Sequence, residues 1–380
     1  MKIAIVHDEL VRRGGAERVV LAFHNAFPKA PIYTLVHNPK LTYSEFKDAD
    51  IHYSWFQRVA SDEFSLKKMF FPFGLFAMQG LDMSGFDVIL ISSTYVAKFI
   101  NPSKNCLVIN YCHTPFRLAW YPEYYRDYSD ARFIKKMAYN IVIGILKKID
   151  YKKAQRTDYF IANSKEIKNK ISAAYDWTGD IEIINPPVDY KDFYLSDKKK
   201  DYFLVVSRLE HYKKVDLVID VFNTLGFPLM IVGKGSQSIR LKNLARSNIT
   251  FLEGVSNKEL AKLYAKCKAL IFPQHEDYGI TPLEANASGR PVIAYSKGGV
   301  LDTMIPYKGD NKKATALFFH EQNPKALLNA IDEFLMTRFD PIFIRKHAEK
   351  FEVSRFIQQI KKFVMSKYEE QKNNKSLNLN

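Results

Sequence analysis

Residues 275–285 read His275-Glu276-Asp277-Tyr278-Gly279-Ile280-Thr281-Pro282-Leu283-Glu284-Ala285, with two glutamates eight positions apart. The apolar run 269–272 just before them predicts a buried parallel strand. The residues that follow predict a helix that ends near Gly289. The order is therefore strand, glycine turn, helix. A helix start offers backbone N–H groups and a partial positive charge, which suit a phosphate.

The start of this predicted helix gives individual residues their expected places. Thr281 is suited to the N-cap position and Pro282 to the first helical position. Glu276 is expected at the carboxyl end of the strand, facing the helix start. Glu284 lies three residues after Thr281, so a capping box is one interpretation of it and a ligand contact is the other.

The first half of the chain alternates strand-like runs with helical patterns, which predicts a parallel, doubly wound sheet. Gly15 ends a double-glycine loop between the first run and a helix, so either a phosphate approach or a simple tight turn is expected there. His113 follows a strand at the end where such sheets bind ligands, with a satisfied polar residue as the alternative. The runs are 2–7, 32–36, 87–92, 106–111, 159–162 and 182–184.

The second half shows a new alternation of the same kind. Arg208 and Lys213 both lie between a strand and a helix, where two cations suit a diphosphate; ordinary surface charge is the alternative. Gly233 and Gly235 follow the next strand, but no third glycine completes a nucleotide motif. The predicted strands are 202–207, 229–232, 249–252, 270–272, 292–294 and 317–319.

The spacing Glu276-x7-Glu284 resembles the signature of retaining glycosyltransferases of family 4, which have the GT-B fold. The His-Glu-Asp-aromatic-Gly-Ile-Thr-Pro variant is similar to that of bacterial mannosyltransferase-like enzymes of surface-polysaccharide assembly. The resemblance covers almost the whole chain, because further motifs follow in the family's order: Gly14-Gly15, His113-Thr114-Pro115, Asn163-Ser164-Lys165 and Arg208 with Lys213.

The resemblance implies an α/β architecture of two doubly wound, Rossmann-like domains that face a central cleft. We expect an acceptor-side domain over 1–190 and a nucleotide-sugar-binding domain over 200–350. Two prolines at 186–187 and the polar segment 190–200 predict the linker. A helix over 351–371 is expected to return to the first domain, and the polar residues 372–380 are expected to be disordered.

The resemblance also implies a role for each site residue. His113 and Glu276 are expected beside the donor sugar, and Arg208 with Lys213 on its diphosphate. The expected donor-binding residues are Gly15 near the diphosphate, Gly233 near the base, Gly279, Ile280 and Thr281 through backbone N–H groups, and Glu284 on the ribose.

The implied reaction is transfer of a hexose, mannose as the first choice, with retention at the anomeric carbon. The donor is expected to be GDP-mannose or a UDP-hexose, and no metal or other cofactor is required. The acceptor is expected to be an oligosaccharide or a lipid-linked saccharide. A GT-B enzyme of other chemistry, a nucleotide-sugar epimerase or a phosphorylase, is the alternative.

The chain has 380 residues, a formal charge of +15 and a pI near 9.4, which suits phosphate-rich partners. Residues 132–170 contain eleven Lys or Arg against three acids. An apolar residue recurs there every fourth position, which predicts either an ordinary core-facing helix or one that contacts an anionic membrane. Nucleic-acid binding is disfavoured, because the lysines concentrate in this one stretch. The apolar positions are Phe133, Met137, Ile141, Ile145 and Ile149.

The remaining features bear on compartment and cofactor. Residues 64–76 are rich in aromatics, which favours either core packing or membrane contact. Cys106 and Cys112 lie in apolar runs and are expected to be buried thiols in a reducing compartment. Without a signal peptide or a spanning segment, a cytoplasmic protein is expected, peripheral at most on the inner membrane face. The triplet Asp48-Ala49-Asp50 is only a weak indication of a metal site.

Overall fold

The computed structural model describes residues 1–62, 65–66, 73–198, 200–310 and 313–377. Most of the aromatic run expected over 64–76, together with Lys199 and the last three residues, lies outside them. The chain divides into two compact units. The first is Met1–Pro187 with the segment from Ser354 onward, and the second is Val188–Val353.

The first unit contains a parallel seven-stranded sheet, counted over the described residues, in the order β3-β2-β1-β4-β5-β6-β7. The sequence order reverses between β1 and β4, so the carboxyl ends of these two strands flank the topological switch point where such sheets bind ligands. The strands are β1 Ile3–His7, β2 Ile32–Thr34, β3 Ile51–Tyr53, β4 Val88–Ser93, β5 Leu107–Cys112, β6 Tyr159–Ala162 and β7 Ile181–Ile183.

The second unit contains a parallel six-stranded sheet, again over the described residues, in the order β10-β9-β8-β11-β12-β13. Its switch point lies between β8 and β11, the strands that precede Arg208 and Glu276. The strands are β8 Phe203–Val206, β9 Leu229–Val232, β10 Ile249–Leu252, β11 Leu270–Phe272, β12 Val292–Tyr295 and β13 Ala316–Phe319.

The central strands are buried throughout because helices cover both faces of each sheet. Every residue of β1, β4, β5, β11 and β12 is buried, which is typical of parallel sheets. The doubly wound α/β fold expected from the alternation of strands and helices is therefore confirmed. The predicted strands 159–162, 229–232, 249–252 and 270–272 have the same bounds in the structure.

Helices of the first unit are α1 Gly15–Ala26, α2 Phe73–Ala77, α3 Arg117–Trp120, α4 Arg126–Ser129, α5 Phe133–Ala154 and α6 Lys165–Tyr175. Those of the second are α7 Val215–Leu225, α8 Ser238–Leu244, α9 Asn257–Lys266, α10 Ile280–Ala287, α11 Val300–Thr303, α12 Pro324–Met336 and α13 Pro341–Ala348. A last helix, α14 Val353–Leu377, follows.

The C-terminal segment differs from the sequence expectation. Helix α14 does not end near residue 371 but continues to Leu377. Lys375 donates a hydrogen bond to the backbone oxygen of Asn105 at 3.0 Å, which ties the polar end of the helix to the first unit. The polar composition of this segment therefore reflects a solvated helix, not disorder, as far as residue 377.

The segment expected to be a linker also packs as part of the second unit. Phe193 is buried in a core cluster of that unit, and its ring lies 5.7 Å from that of Tyr264. Arg345 donates a hydrogen bond to the Phe193 backbone oxygen at 2.8 Å. The unit boundary falls after Pro187, before the polar segment, because an aromatic anchor in that segment holds it to the second core.

Helix α5 does not use its predicted apolar stripe for the core. Phe133, Met137, Ile141 and Ile145 are all exposed, and of the five stripe positions Ile149 is the one that packs against the core. The expectation of an ordinary core-facing stripe is therefore wrong for the first four positions. Within the described residues, no helix combines the length and apolarity needed to cross a membrane.

Candidate functional site

Helix α10 begins directly after a glycine, as expected from residues 275–285, but its N-cap residue is not the predicted Thr281. The N-cap is Gly279, with φ 87° and ψ 91°, a backbone conformation that favours glycine. A Cβ at Gly279 would also lie 2.8 Å from Cζ of Phe272. Thr281 and Pro282 therefore lie inside the first turn and neither caps it. The first backbone N–H groups of a helix have no intrahelical partner, so they are available to an anion.

Glu284 is buried in the middle of this helix, with 7% of its surface exposed. The Tyr264 hydroxyl donates to its Oε2 at 2.8 Å. The helix N-cap makes no side-chain capping bond, so the capping-box interpretation of Glu284 is wrong. Tyr264 fixes the carboxylate in place, and this partner was not identified from the sequence.

Lys213 and Glu276 meet at the switch point of the second sheet, where they form an ion pair. Their side chains are only 9% and 20% exposed. Lys213 ends a short 3-10 turn after β8, and Glu276 follows β11. The neighbouring order of β8 and β11 brings the two residues together although they are far apart in sequence.

Glu276 is held by a second double-glycine loop that the sequence analysis did not interpret. Gly298 forms a parallel bridge with Glu276, and the Gly299 N–H donates to the Glu276 backbone oxygen at 3.0 Å. Gly298 has φ +86°, and a Cβ there would overlap that same oxygen. Only glycine fits this approach. The detectable signal was a glycine pair between a strand and a helix, as at Gly14-Gly15.

Arg208 is exposed beside this ion pair, and an aromatic side chain orients it. Its Nη2 donates to the Tyr212 hydroxyl at 2.9 Å. The ammonium nitrogen of Lys213 lies 4.9 Å from the centre of the same ring. Tyr212 thus contacts both expected diphosphate-binding cations, and the sequence analysis did not name it.

The backbone at position 233 requires glycine for a structural reason. Its φ is +141°, and a Cβ would overlap the backbone oxygen of Ser207. The Leu209 N–H donates to the Lys234 oxygen at 3.0 Å, so the loops after β8 and β9 are in backbone contact. The expected place of Gly233 near a nucleotide base stays a prediction.

In the first unit, Gly15 is the first residue of α1. A Cβ at Gly15 would meet nothing within 4 Å. Packing therefore does not require glycine at this position, which leaves open backbone approach as a reason for it. Its contact with a diphosphate stays a prediction.

His113 belongs to a buried chain of polar groups at the other switch point. Ser92 Oγ lies 2.9 Å from His113 Nε2, and His7 Nδ1 lies 3.0 Å from the Ser92 backbone oxygen and 3.1 Å from Ser92 Oγ. His7 and Ser92 are paired in register across β1 and β4. Asn163, from the expected Asn-Ser-Lys motif, donates to the His113 backbone oxygen at 3.1 Å.

These contacts determine which nitrogen of His113 carries the proton. A carbonyl oxygen only accepts, so His7 Nδ1 must donate to Ser92. The Ser92 hydroxyl is buried and needs an acceptor, and His113 Nε2 provides it. Burial, with His7 nearby, lowers the pKa of His113 to about 3. His113 is therefore neutral and protonated at Nδ1, so it presents an N–H donor and no charge.

No three His, Cys, Asp or Glu side chains in the described part of the chain are grouped so as to hold a metal ion. All three cysteines are buried thiols, as expected for Cys106 and Cys112. Burial raises the pKa of Cys106 and of Cys267 to about 12. Such thiols stay protonated, so they are structural and unreactive.

A match to a known protein family covers nearly the same residues as the second unit. Residues 189–352 match the family described as Glycosyl transferases group 1. The chain is 26% identical over 374 residues to alpha-1,3/1,6-mannosyltransferase ALG2 of Dictyostelium discoideum, covering 81% of this chain and 85% of the relative. It is 28% identical over 186 residues to the O-antigen chain mannosyltransferase RfbU of Salmonella typhimurium, covering 45% and 48% respectively.

Solved structures show the fold. Anabaena HepE in complex with UDP matches with a TM-score of 0.70 at 16% identity, over 96% of this chain and 100% of that one. Sucrose-phosphate synthase from Thermosynechococcus elongatus matches with a TM-score of 0.74 at 16% identity, over 97% and 100%. The solved structures show the GT-B fold, and the family match with the mannosyltransferase relatives supports a glycosyltransferase. These relatives also support the hexosyltransferase that the sequence resemblance predicted.

Proposed function

We propose that this enzyme transfers mannose from GDP-mannose to a growing saccharide, with retention at the anomeric carbon and without a metal ion. The observation that carries the proposal is the group at the switch point of the second sheet: Arg208, the Lys213–Glu276 ion pair and the start of α10. This group lies inside the region that matches Glycosyl transferases group 1.

The chemistry of the group fits a departing diphosphate. As the bond between the anomeric carbon and the phosphate oxygen breaks, negative charge grows on the diphosphate. Arg208 binds it with a planar fork, Lys213 as a point charge, and the first turn of α10 with backbone N–H groups. Each well-placed donor of this kind lowers the barrier by roughly 2.7–4 kcal/mol.

Glu276 has two tasks in this proposal. Its ion pair holds the Lys213 ammonium in one position before the donor arrives. Its carboxylate also stabilises the positive charge that develops on the sugar ring. The acceptor hydroxyl attacks from the face that the diphosphate leaves, and its proton passes to the leaving phosphate oxygen. This route accounts for retention without a separate basic residue.

His113 acts in this scheme as a neutral donor. Its Nδ1–H contacts a sugar hydroxyl, and Ser92 keeps the ring in that tautomer. Glu284, fixed by Tyr264, accepts from the ribose hydroxyls. Gly15, Gly233 and the backbone of Gly279, Ile280 and Thr281 complete the donor contacts.

The choice of donor and acceptor rests on the relatives. Mannosyltransferases among them support GDP-mannose, whereas the UDP complex of a solved relative of similar fold keeps a UDP-hexose as the alternative. RfbU acts on an O-antigen chain by its name, which supports a saccharide acceptor of the cell surface. We place the reaction on a lipid-linked acceptor at the inner face of the cytoplasmic membrane, with the enzyme held there by anionic lipid.

Transfer of labelled sugar tests the proposal. The purified enzyme is incubated with GDP-mannose, and separately with UDP-hexoses, together with extracted lipid-linked saccharides and EDTA. We expect an α-linked mannose product by anomeric NMR, with EDTA without effect. Arg208→Ala should lower kcat roughly 100- to 1,000-fold, whereas Arg240→Ala, at another exposed arginine of the same unit, should keep it. Nucleotide release without a transferred sugar, or dependence on phosphate, would contradict the proposal.

A further inference from the structure

Helix α5, Phe133–Ala154, has apolar side chains on two opposite faces. One face packs into the first unit: Leu146 is a member of its core cluster, and Val142 and Ile149 pack against it. The other face turns away from that core. With about 100° of rotation per residue, positions 133, 137 and 141 share one side of the helix, opposite Leu146.

The outward side chains are exposed to a degree that is unusual for a soluble surface. The exposed fractions are Phe133 79%, Ile134 82%, Met137 53%, Ile141 64% and Ile145 48%. They form one strip about 18 Å long, at 1.5 Å per residue over twelve residues. Single exposed apolar residues need no explanation, but a contiguous strip marks an interaction surface. We call this strip, from Phe133 to Ile145, the outer face of α5.

The charges that α5 itself exposes are of one sign. Lys135, Lys148 and Lys152 are exposed on the same helix. Asp150 is the acid within α5, and it is fully buried in an ion pair with Lys98 at 2.7 Å. The helix therefore presents positive charge to solvent and keeps its negative charge inside.

The flank of the outer face combines tyrosine with lysine. The Lys136 ammonium lies 5.1 Å from the centre of the Tyr128 ring. The Tyr128 hydroxyl donates to Asn140 at 3.0 Å. Amphipathic rings and long cationic side chains are the residues that border an apolar surface at a lipid–water boundary.

We propose that the outer face of α5 inserts into the surface of an anionic lipid bilayer. The apolar side chains enter the boundary between head groups and acyl chains, and the lysines contact the lipid phosphates. An acidic protein surface would satisfy the lysines but would leave the isoleucines and Phe133 in contact with polar groups. This inference deepens the proposed function, because it gives the surface by which the enzyme meets a lipid-linked acceptor.

Vesicle sedimentation tests the inference without any measurement of activity. We expect the full chain to bind vesicles with about 30% phosphatidylglycerol at about 0.05 M salt, and to bind far less at about 0.5 M. Pure phosphatidylcholine vesicles should bind at least roughly tenfold less protein. Equal binding to both kinds of vesicle, or to neither, would overturn the proposal.

Variants assign the binding to this face. Met137→Ser with Ile141→Ser should weaken vesicle binding at least roughly tenfold. Met336→Ser with Ile342→Ser is the matched control, because these residues of the second unit are 89% and 70% exposed and should leave binding unchanged. An equal loss in both double variants would remove α5 from this role.

Two further measurements separate the possible failures. If the outer face joined two copies of the chain, light scattering would show a dimer that the Met137/Ile141 variant converts to a monomer without vesicle binding, and that result would overturn the lipid proposal. Stabilisation of the Met137/Ile141 variant by nucleotide should equal that of the wild type. If the wild type were stabilised by nucleotide but did not bind vesicles, the lipid proposal would be overturned and the proposed function would stand.

Discussion

Lys213 and Glu276 form an ion pair at the carboxyl edge of the second sheet, with both side chains largely buried. The pair joins the loop after β8 to the loop after β11, the two neighbours of the switch point. In the proposed function one partner binds the diphosphate and the other faces the sugar. In this proposal the ion pair stabilises the folded protein before the donor binds, and it holds both side chains in position during transfer.

The ion pair predicts a coupled effect on stability. Lys213→Met should lower the free energy of unfolding by roughly 3–5 kcal/mol, because it leaves a mostly buried carboxylate without its cation. Adding Glu276→Gln should restore part of that loss, so urea denaturation of the single and double variants should show coupling above about 1 kcal/mol. The double variant should still be inactive. Losses that simply add would contradict a direct contact in solution.

Tyr212 predicts a positioning effect on Arg208. Tyr212→Phe removes the hydroxyl that accepts from the guanidinium but keeps the ring beside Lys213. We expect kcat to fall about tenfold, the equivalent of a hydrogen bond of about 1.4 kcal/mol, with an unchanged melting temperature. In an Arg208→Ala background the same change should have little further effect, because its target is absent. A full tenfold loss there would show that Tyr212 acts by another route.

The double-glycine loop Gly298-Gly299 contains a position that should tolerate only glycine. Gly298→Ala places a Cβ against the Glu276 backbone oxygen and should both destabilise the protein and abolish transfer. Gly309→Ala is the matched control, since Gly309 has φ +89° and open space around a Cβ. It carries only the backbone strain, roughly 1–3 kcal/mol, and should keep activity. Similar melting temperatures for the two variants would contradict the close approach.

The buried neutral His113 predicts how stability changes with pH. Burial lowers the pKa of His113 from 6.5 to about 3 in the folded chain, so between these values the unfolded chain binds one more proton. The free energy of unfolding must then fall as pH falls from about 7 towards 3. Between pH about 7.5 and 5.5, wild type should lose roughly 1.4 kcal/mol more than His113→Gln in urea denaturation.

This difference isolates one residue, because every other histidine is present in both proteins. Equal losses in wild type and His113→Gln would show that the histidine is charged or solvated in the native state. They would also remove the reason for the Nδ1–H tautomer.

The sequence predicted most of the strands because their apolar runs are buried on both faces. The run 229–232 is an example, since three of its four residues are buried. Strand β3 was missed because Ile51–Tyr53 is short and half-exposed at the sheet edge. Its residues lack the continuous apolar run that identifies a central strand.

The sequence identified residues of the candidate site, but it did not show the contacts between them. Lys213 and Glu276 were both named from motifs, yet nothing in a linear chain states that β8 lies beside β11. Ser92 and His7 were missed because a serine and a histidine inside apolar strands carry no pattern. The periodicity of α5 located the helix correctly, but it did not show that the stripe with Phe133 faces away from the core.

The most direct test of the central claim is thermal stability of wild type and Arg208→Ala with GDP, UDP, ADP, CMP and no nucleotide. At about 100 times its Kd, a bound nucleotide adds about 2.7 kcal/mol to the free energy of unfolding. We predict that GDP raises the melting temperature of the wild type and has far less effect on Arg208→Ala. A shift with UDP alone would replace the donor, and no shift with any nucleotide, or equal shifts in both proteins, would contradict a nucleotide-sugar site at Arg208, Lys213 and Glu276.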